Sequence, residues 1–152
     1  AVVEACRYHP DGRRGVAGVR AAAFGLVRPL HEYVRAANAE TLVIVQIESI
    51  SAVERLEEYL AIPGIDVLFV GPNDLAQSMG YPGQPMHPEV QRVIDEIVQR
   101  VAGRLPLGTT AATPELVQRQ LERGFRMLAA NTTALLAAGA RALLAAAGTA
   151  VQ

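Results

Sequence analysis

The stretch VLFVGPNDLAQSMG (residues 67–80) decides the fold that this sequence predicts. A predicted strand, Ile65–Val70, leads directly into Gly71-Pro72, a dipeptide that is typical of a turn. A short apolar run that ends at a turn signal indicates a strand covered on both faces. The strand therefore delivers the carboxylate of Asp74 to the loop at its carboxyl end.

A second stretch, LVIVQIESISAV from residue 42, has the same pattern. Its predicted strand, Leu42–Ile47, is followed at once by Glu48. Because side chains alternate along a strand, Ile44, Gln46 and Glu48 share one face. If the two strands are neighbours, Glu48 and Asp74 lie at the same edge of the sheet. Two acids at adjoining strand ends suggest a shared ligand, and the simplest one is a cation.

Spacing alone leaves two interpretations of these acids open. In the first, Glu48 and Asp74 hold a hard cation such as Mg²⁺, Mn²⁺ or Co²⁺, together with water and oxygen atoms of a substrate. In the second, each acid caps the turn or helix that follows it. Gly71-Pro72 is likewise a turn signal first and an anion-binding stretch of backbone second.

The remaining sequence repeats the order of strand followed by helix. A capping-box pattern, Ser51 with Glu54, predicts a helix after the first strand. A long loop, Gly71–Met86, precedes a helix that begins at His87-Pro88. Alternating strands and helices imply parallel strands joined by crossovers. The other predicted elements are a helix end at Ala1–Arg7, a helix at Pro29–Asn38, strands at Leu105–Thr110 and Phe125–Ala130, a helix from Thr113 to Gly124, and an alanine-rich helix after Asn131.

Four strand–helix units make up half of a closed (β/α)₈ barrel, which typically takes about 250 residues. We therefore predict an α/β fold of parallel βα units, the carboxyl-terminal half of a TIM-type barrel with its terminal helix. Residues 1–152 are expected to form a single partial domain. An open doubly wound sheet is the competing architecture, and it is disfavoured because no glycine-rich phosphate loop follows the first strand.

Composition and charge narrow the function classes. Of the 152 residues, 51% are hydrophobic and 19% are charged, and the net charge is −1. This balance predicts a soluble globular protein without affinity for nucleic acid. The single Cys6 excludes an intrachain disulfide, and no leader pattern opens the sequence, so we expect a cytoplasmic protein. Arg141 interrupts the alanine-rich segment, which is predicted to pack on a partner subunit rather than to cross a membrane.

Four sequence blocks resemble the HpcH/HpaI family of divalent-metal-dependent 2-oxo-acid aldolases. In chain order they are YHPDGRRG, VQIES, PGIDVLFVGPNDLAQSMGYPG and HPEV. The resemblance implies a (β/α)₈ barrel, a homo-oligomer that is commonly a hexamer with a swapped terminal helix, and a bound divalent cation. It also implies that Glu48 and Asp74 are metal ligands and that Gln46 contacts the pyruvate moiety. The backbone that would hold the substrate carboxylate is that of Gly71, Pro72, Asn73 and Asp74.

The activity implied by the resemblance is that of a lyase that makes or cleaves 4-hydroxy-2-oxo acids. In the family's mechanism, a divalent ion chelates the 2-oxo acid and, as a Lewis acid, stabilises the pyruvate enolate that adds to an aldehyde. The family's general-base histidine, its aspartate partner and the arginine that clamps the oxo acid lie on early strands that this sequence does not contain. No catalytic residue is therefore identified in this chain.

Two other functions stay open. The first is a non-catalytic remnant or subunit that acts as a metal-binding, oxo-acid-binding or assembly module. The second is a lyase subunit acting on a CoA thioester, which rests on shared superfamily architecture alone and would need a basic groove that the sequence does not show.

The sequence also departs from the family pattern. His9 replaces the first proline of the family's Pro-Pro pair, and RMLAANTTALL alters the fourth strand end. Thr109-Thr110 makes the third strand end polar where relatives often carry aliphatic residues. No histidine is predicted to be the missing base, because His9 lies in a loop, His31 on a helix surface, and His87 at a helix start that capping explains.

Overall fold

The computed structural model describes residues 1–148 of the chain. Within these residues, four strands form one parallel sheet in the order β1-β2-β3-β4. The strands are β1 (Ile44–Ile47), β2 (Val67–Val70), β3 (Leu107–Thr110) and β4 (Met127–Ala129). Strand order follows chain order, and helices lie between successive strands. The predicted α/β fold of parallel βα units is therefore confirmed.

Helices precede, connect and follow the strands. Among residues 1–148, no helix combines the length and the apolar character that crossing a lipid bilayer requires. The helices are α1 (Val2–Cys6), a 3₁₀-helix (Arg20–Gly25), α2 (Leu30–Glu40), α3 (Ile50–Glu54), α4 (Leu56–Leu60), α5 (Pro72–Ser78), α6 (Pro88–Val101), α7 (Pro114–Glu122) and α8 (Thr132–Ala146).

The main core lies on one face of the sheet. Ile47, Leu68 and Val70 are fully buried there, in one cluster with the apolar stripe of α6. Apolar residues recur on α6 every three or four positions, so a single side of the helix turns towards the strands. The buried residues of that stripe are Val90, Val93, Ile94, Ile97 and Val101.

The opposite face of the sheet is partly open within residues 1–148, although Val67 on it is buried. Ile44 is 37% exposed, and Gln46 is exposed two positions further on. Partner residues in parallel strands present their side chains to the same face, so the register extends this surface across the sheet. Parallel sheets are normally covered on both faces, and an open face fits part of a barrel. We call this surface the inner face, and it includes Ile44, Gln46, Val67, Phe69, Gly108 and Met127.

Hydrogen bonds and an ion pair connect Arg7 and Tyr8 of the amino-terminal segment to α2 and to the loop before β2. Arg7 donates to the carboxylate of Asp66 at 3.0 Å and also to the backbone carbonyl of Asn38. The same Asp66 carboxylate accepts from the N–H of Val43 at 2.7 Å. The Asn38 side chain bonds both to the N–H and to the carbonyl of Tyr8. These contacts fix the loop that carries YHPDGRRG.

A second, smaller core surrounds Tyr8. Its ring meets that of Tyr33 edge to face, with centroids 6.1 Å apart, and Ala22 and Ala37 complete the cluster. The guanidinium carbon of Arg14 lies 4.8 Å from the Tyr8 ring centroid. Burial, with a smaller contribution from Tyr33, raises the pKa of the Tyr8 hydroxyl above its ordinary value. Arg14 thus orders the loop by packing on an aromatic ring.

The helix after β1 begins at Ile50, close to the predicted start near Ser51, but the predicted capping box of Ser51 and Glu54 is wrong. Ser49, not Ser51, is the N-cap, and its hydroxyl accepts from the N–H of Ala52 at 3.2 Å. Ser49 is extended and follows the strand directly, so it meets the requirement for a cap first. The predicted single helix is also divided, because the backbone of Arg55 (φ −93°, ψ 16°) leaves the helical region between α3 and α4.

The prediction of a loop over residues 71–86 is wrong in its first half, which forms α5. Pro72 occupies the first helical position, where a missing N–H is not needed and the fixed φ suits a helix. The caps at His87, Thr113 and Asn131 are confirmed. All four strands begin two residues later than predicted, at the point where paired neighbours are available.

Candidate active site

Glu48 lies against the backbone of Gly71. A Cβ atom added to Gly71 would stand 2.7 Å from Oε2 of Glu48 and 3.0 Å from its Cβ. The two strand ends are also joined by a hydrogen bond from the N–H of Gly71 to the carbonyl of Ile47, at 3.3 Å. The half-buried Glu48 carboxylate therefore reaches from the end of β1 over the end of β2. It occupies space that any residue other than glycine would fill.

Asp74 is in the first turn of α5, three residues after Gly71. Gly71 is the N-cap of this helix, and its carbonyl accepts from the N–H of Leu75 at 3.0 Å. The amides of Asn73 and Asp74 belong to the turn whose N–H groups have no helical carbonyl to bond. Pro72 lacks an N–H altogether. The segment thus combines an exposed carboxylate with backbone donors, directly beside the Glu48 carboxylate.

Side chains at the carboxyl edge of the inner face form two rows. Register partners in the lower row are Gln46, Phe69, Gly108 and Met127. Two residues further along each strand, the register partners Thr110 and Ala129 belong to an upper row, which strand alternation extends to Glu48 and Gly71 just beyond the ends of β1 and β2. The amide of Gln46 is therefore one step below the carboxylate of Glu48, on the same strand and the same face.

An aromatic ring covers part of the lower row. A Cβ atom added to Gly108 would lie 2.6 Å from Cδ2 of Phe69 and 3.3 Å from Cβ of Met127. The Phe69 ring therefore leans over β3, in space that the absent side chain leaves free. It gives the upper row an apolar surface beneath it.

The acids at this edge have no cationic partner in residues 1–148, as is also true of Glu40, Glu54 and Glu122. Within residues 1–148, neither Glu48 nor Asp74 takes part in a hydrogen bond or an ion pair through its carboxylate. By contrast, Glu57 accepts from Arg104 at 2.6 Å, a bond that lowers the pKa of its carboxyl. Two unpaired carboxylates, one directly after β1 and one in the first turn of the helix after β2, fit a divalent cation in chemical type.

The number of protein ligands in this part of the chain is small. No group of three or more His, Cys, Asp or Glu side chains that could hold a metal ion occurs in residues 1–148. A cation at Glu48 and Asp74 would therefore complete its shell with oxygen atoms of water and of a ligand. Such a site is open on the ligand side, as a Lewis-acid site needs to be.

The histidines are engaged elsewhere or exposed. His87 caps α6, where its Nδ1 accepts from the N–H of Glu89 at 3.3 Å, and its ring stacks on Tyr81. His9 and His31 are exposed and line a separate cleft of about 550 Å³ beside α2. Each thus has the position that the sequence predicts for a histidine without a catalytic role.

The two threonines at the end of β3 face opposite ways. Thr109 is 2% exposed, and its hydroxyl donates to the carbonyl of Val70 at 3.2 Å. Thr110, the next residue, is exposed and belongs to the upper row of the inner face. Sequence reasoning noted this pair as a departure from the family but gave it no role, because which of the two faces the site depends on the register of β3.

A parallel sheet that presents acids beyond the carboxyl ends of its strands belongs to the class of α/β proteins that bind ligands at that edge. The sequence profile of the HpcH/HpaI aldolase/citrate lyase family matches residues 1–140. The chain belongs to this family.

Curated relatives are similar over most of this chain. A 4-hydroxy-2-oxovalerate aldolase from Rhodococcus jostii (strain RHA1) is 46% identical over 127 residues, which are 82% of this chain and 47% of the relative. A 2-keto-3-deoxy-L-rhamnonate aldolase from Klebsiella pneumoniae subsp. pneumoniae is 41% identical over 138 residues, 89% of this chain and 51% of that protein. The chain thus spans about half the length of the curated relatives it matches.

Solved structures of family members also match most of this chain but only part of their own length. An HpcH/HpaI aldolase/citrate lyase family protein from Burkholderia cenocepacia J2315 superposes with a TM-score of 0.83 at 36% identity, covering 97% of this chain and 59% of the other. An HpcH/HpaI aldolase from Desulfitobacterium hafniense DCB-2 gives a TM-score of 0.76 at 29% identity. The described fold therefore corresponds to rather more than half of a family chain.

Proposed function

We propose that the natural protein containing this chain is a metal-dependent aldolase of the pyruvate type, which makes or cleaves 4-hydroxy-2-oxo acids. The observation that carries the proposal is the pair of unpaired carboxylates of Glu48, directly after β1, and Asp74, in the first turn of the helix that follows β2. Glu48 is held over Gly71, a position that leaves room for its carboxylate. Membership of the family and the names of its aldolase relatives support the same reaction class.

In this proposal each site residue has a defined task. Glu48 and Asp74 would hold the cation, Mg²⁺, Mn²⁺ or Co²⁺, which would supply Lewis-acid chemistry to the 2-oxo acid. The amides of Asn73 and Asp74, in the segment Gly71–Asp74, bind the substrate carboxylate. Gln46 donates its amide N–H to the oxo-acid moiety from the row below.

The overall reaction joins a 2-oxo acid to an aldehyde. Carbon 3 of the 2-oxo acid loses a proton and forms a bond to the aldehyde carbon, while the aldehyde oxygen gains a proton. Residues 1–148 contribute no group that we assign to the removal of that proton. We propose that the base lies elsewhere in the natural protein, which we expect to be a cytoplasmic homo-oligomer.

A second candidate is a binding or assembly module that has kept the oxo-acid pocket without catalysis. The exposed or capping positions of His9, His31 and His87 favour it, since none of these histidines is placed as a base. The two candidates differ in one observable, namely proton removal from the 2-oxo acid.

The test is exchange of deuterium into the methyl group of pyruvate, followed by NMR, with Mg²⁺ or Mn²⁺ and with EDTA. An aldolase exchanges these protons without any aldehyde present, and EDTA stops the exchange. The measurement is made on the natural protein that contains this chain. If that protein is folded and binds pyruvate and Mn²⁺ but does not exchange the methyl protons, the aldolase is excluded and the binding module is supported.

The site assignment has its own test in Asp74→Ala and Glu48→Gln. Each variant is expected to lower metal-dependent exchange by at least about a hundredfold, because a cation ligand is lost. Mn²⁺ binding, measured by water-proton relaxation, is expected to weaken in parallel. Glu54→Gln, on the exposed side of α3, is the matched control and should change neither quantity. Unchanged activity and Mn²⁺ affinity in Asp74→Ala would overturn the assignment.

A further inference from the structure

Resting on the proposed function, we infer that Thr110 is a specificity-determining residue. Its hydroxyl forms a hydrogen bond with a hydroxyl group that the substrate carries on, or next to, the carbon that forms the new bond. Two substrates present this chemistry: a 2-oxo acid with a 3-hydroxyl group, such as hydroxypyruvate, and an aldehyde with a 2-hydroxyl group, such as glycolaldehyde.

The position of Thr110 in the upper row carries the first step. When the register is extended one residue beyond Ile47–Val70 and two beyond Phe69–Gly108, Glu48 and Thr110 fall on the same face and at the same level, on either side of Gly71. Adjacent strands are about 4.8 Å apart, so two strand spacings separate the two residues by roughly 10 Å. Gly71 has no side chain, and the Glu48 carboxylate occupies the space that a side chain would take there. A small substrate held at Glu48 therefore extends towards Thr110.

The orientation of Thr110 follows from its neighbours. Thr109 is buried on the helix side of β3, with its hydroxyl bonded to the carbonyl of Val70. Gly108 faces the Phe69 ring on the inner face. Side chains alternate along a strand, so Thr110 faces the same side as Gly108. Its exposed hydroxyl forms no hydrogen bond within the part of the chain that the structure describes.

The surroundings of Thr110 make its hydroxyl selective. In residues 1–148 the other inner-face positions of β3 and β4 at this edge are Gly108, Met127 and Ala129, which carry no polar side-chain atom able to donate. The Phe69 ring lies below. Among these four strand positions, Thr110 is therefore the one with a side-chain partner for a substrate hydroxyl; Asn73, Gln120 and Arg123 line a cavity of about 230 Å³ that Thr110 also borders. An alkyl group in place of the substrate hydroxyl would displace water from the Thr110 hydroxyl without replacing the bond.

The experiment compares matched substrates that differ only in a methyl group or a hydroxyl group. The natural protein is assayed with Mn²⁺ on hydroxypyruvate against 2-oxobutanoate, with one fixed aldehyde, and on glycolaldehyde against propanal, with pyruvate. We expect a preference for the hydroxylated member of about tenfold in kcat/KM in one of the two pairs. The pair that shows it identifies which substrate carries the hydroxyl group.

Three variants test the residue itself. Thr110→Val keeps the shape of the side chain and is expected to abolish the preference, whereas Thr110→Ser is expected to keep it. Thr109→Val removes a hydroxyl from the neighbouring position on the other face and should leave the ratio unchanged. An unchanged ratio in Thr110→Val, an equal fall in Thr109→Val, or no preference in the unsubstituted protein would each overturn the inference.

Deuterium exchange into the methyl group of pyruvate, measured in the unsubstituted protein, distinguishes a failure of the Thr110 inference from a failure of the proposed function. Metal-dependent exchange with no effect of Thr110→Val leaves the aldolase intact and removes only the role of Thr110. Absence of exchange in the folded protein removes both.

Discussion

At the scale of single residues, the position of the Glu48 carboxylate depends on the absence of a side chain at Gly71. The carboxylate occupies the place of a side chain on the next strand, so the two residues are complementary in space. The backbone of Gly71 also accepts the hydrogen bond that starts α5, and it donates to β1. Gly71 therefore takes part in the pairing of β1 with β2, forms the N-cap of α5 and leaves room for the candidate metal ligand Glu48.

Substituting Gly71 by alanine is expected to weaken Mn²⁺ binding at least about tenfold, or about 1.4 kcal/mol, because the new Cβ displaces the Glu48 carboxylate. The measurement is a Mn²⁺ titration followed by water-proton relaxation, with circular dichroism as a check on the fold. Gly139→Ala in α8 adds the same atom where nothing lies within 4 Å, so it should leave the affinity unchanged. Equal affinities in the two variants would contradict the proposed position of the metal.

The sequence permits the prediction of Glu48, Asp74 and Gln46 as site candidates, because strand alternation and the carboxyl-edge rule depend only on local pattern. The close contact between Glu48 and Gly71 is not predictable in this way. It depends on register, and a shift of one residue between β1 and β2 would send every side chain to the other face. The role inferred for Thr110 depends on register for the same reason.

At the scale of elements, α6 contributes most to the main core. Ile97 is fully buried in the middle of its apolar stripe. We expect Ile97→Ala to lower the free energy of unfolding by about 2–5 kcal/mol, through lost burial and the cavity left behind. Urea denaturation followed by circular dichroism measures this change.

A leucine on the neighbouring helix provides the control for α6. Leu121 in α7 is 45% exposed, and Leu121→Ala is expected to change the free energy of unfolding by less than about 1 kcal/mol. Similar losses in both variants would mean that the core does not lie between α6 and the sheet.

Some helix starts are predicted correctly from the local sequence pattern, and others are not. Thr113-Pro114 and His87-Pro88 predict starts correctly, since a cap followed by proline has no competing interpretation in those loops. Gly71-Pro72 has the same chemistry but follows a strand directly, so the turn interpretation was preferred and α5 was missed. The Ser49–Ser51 pair offers two caps, and the end of β1 decides between them.

At the scale of the whole molecule, α8 projects apolar side chains outwards. Leu136 and Leu143, seven residues apart on one side of this helix, are each 75% exposed. We propose that this side packs on another copy of the chain in the expected homo-oligomer. The double variant Leu136→Ser/Leu143→Ser is then expected to lower the assembly mass measured by sedimentation velocity.

The comparison for α8 is Leu121→Ser, which changes an exposed leucine on α7 instead. This variant should keep the mass of the unsubstituted protein. An unchanged assembly mass in the α8 variant would mean that the apolar side of α8 does not contribute to the homo-oligomer.

The agreement between strand order and chain order has a consequence for how the protein folds during synthesis. Within residues 1–148, each strand pairs only with the strand made immediately before or after it. Closing each pair costs the entropy of a single crossover. As the ribosome releases the chain, β1 and β2 are able to pair before β3 exists, and β4 only extends an edge that is already formed. The strand order of residues 1–148 thus allows each described strand to join its predecessor as soon as it has been made.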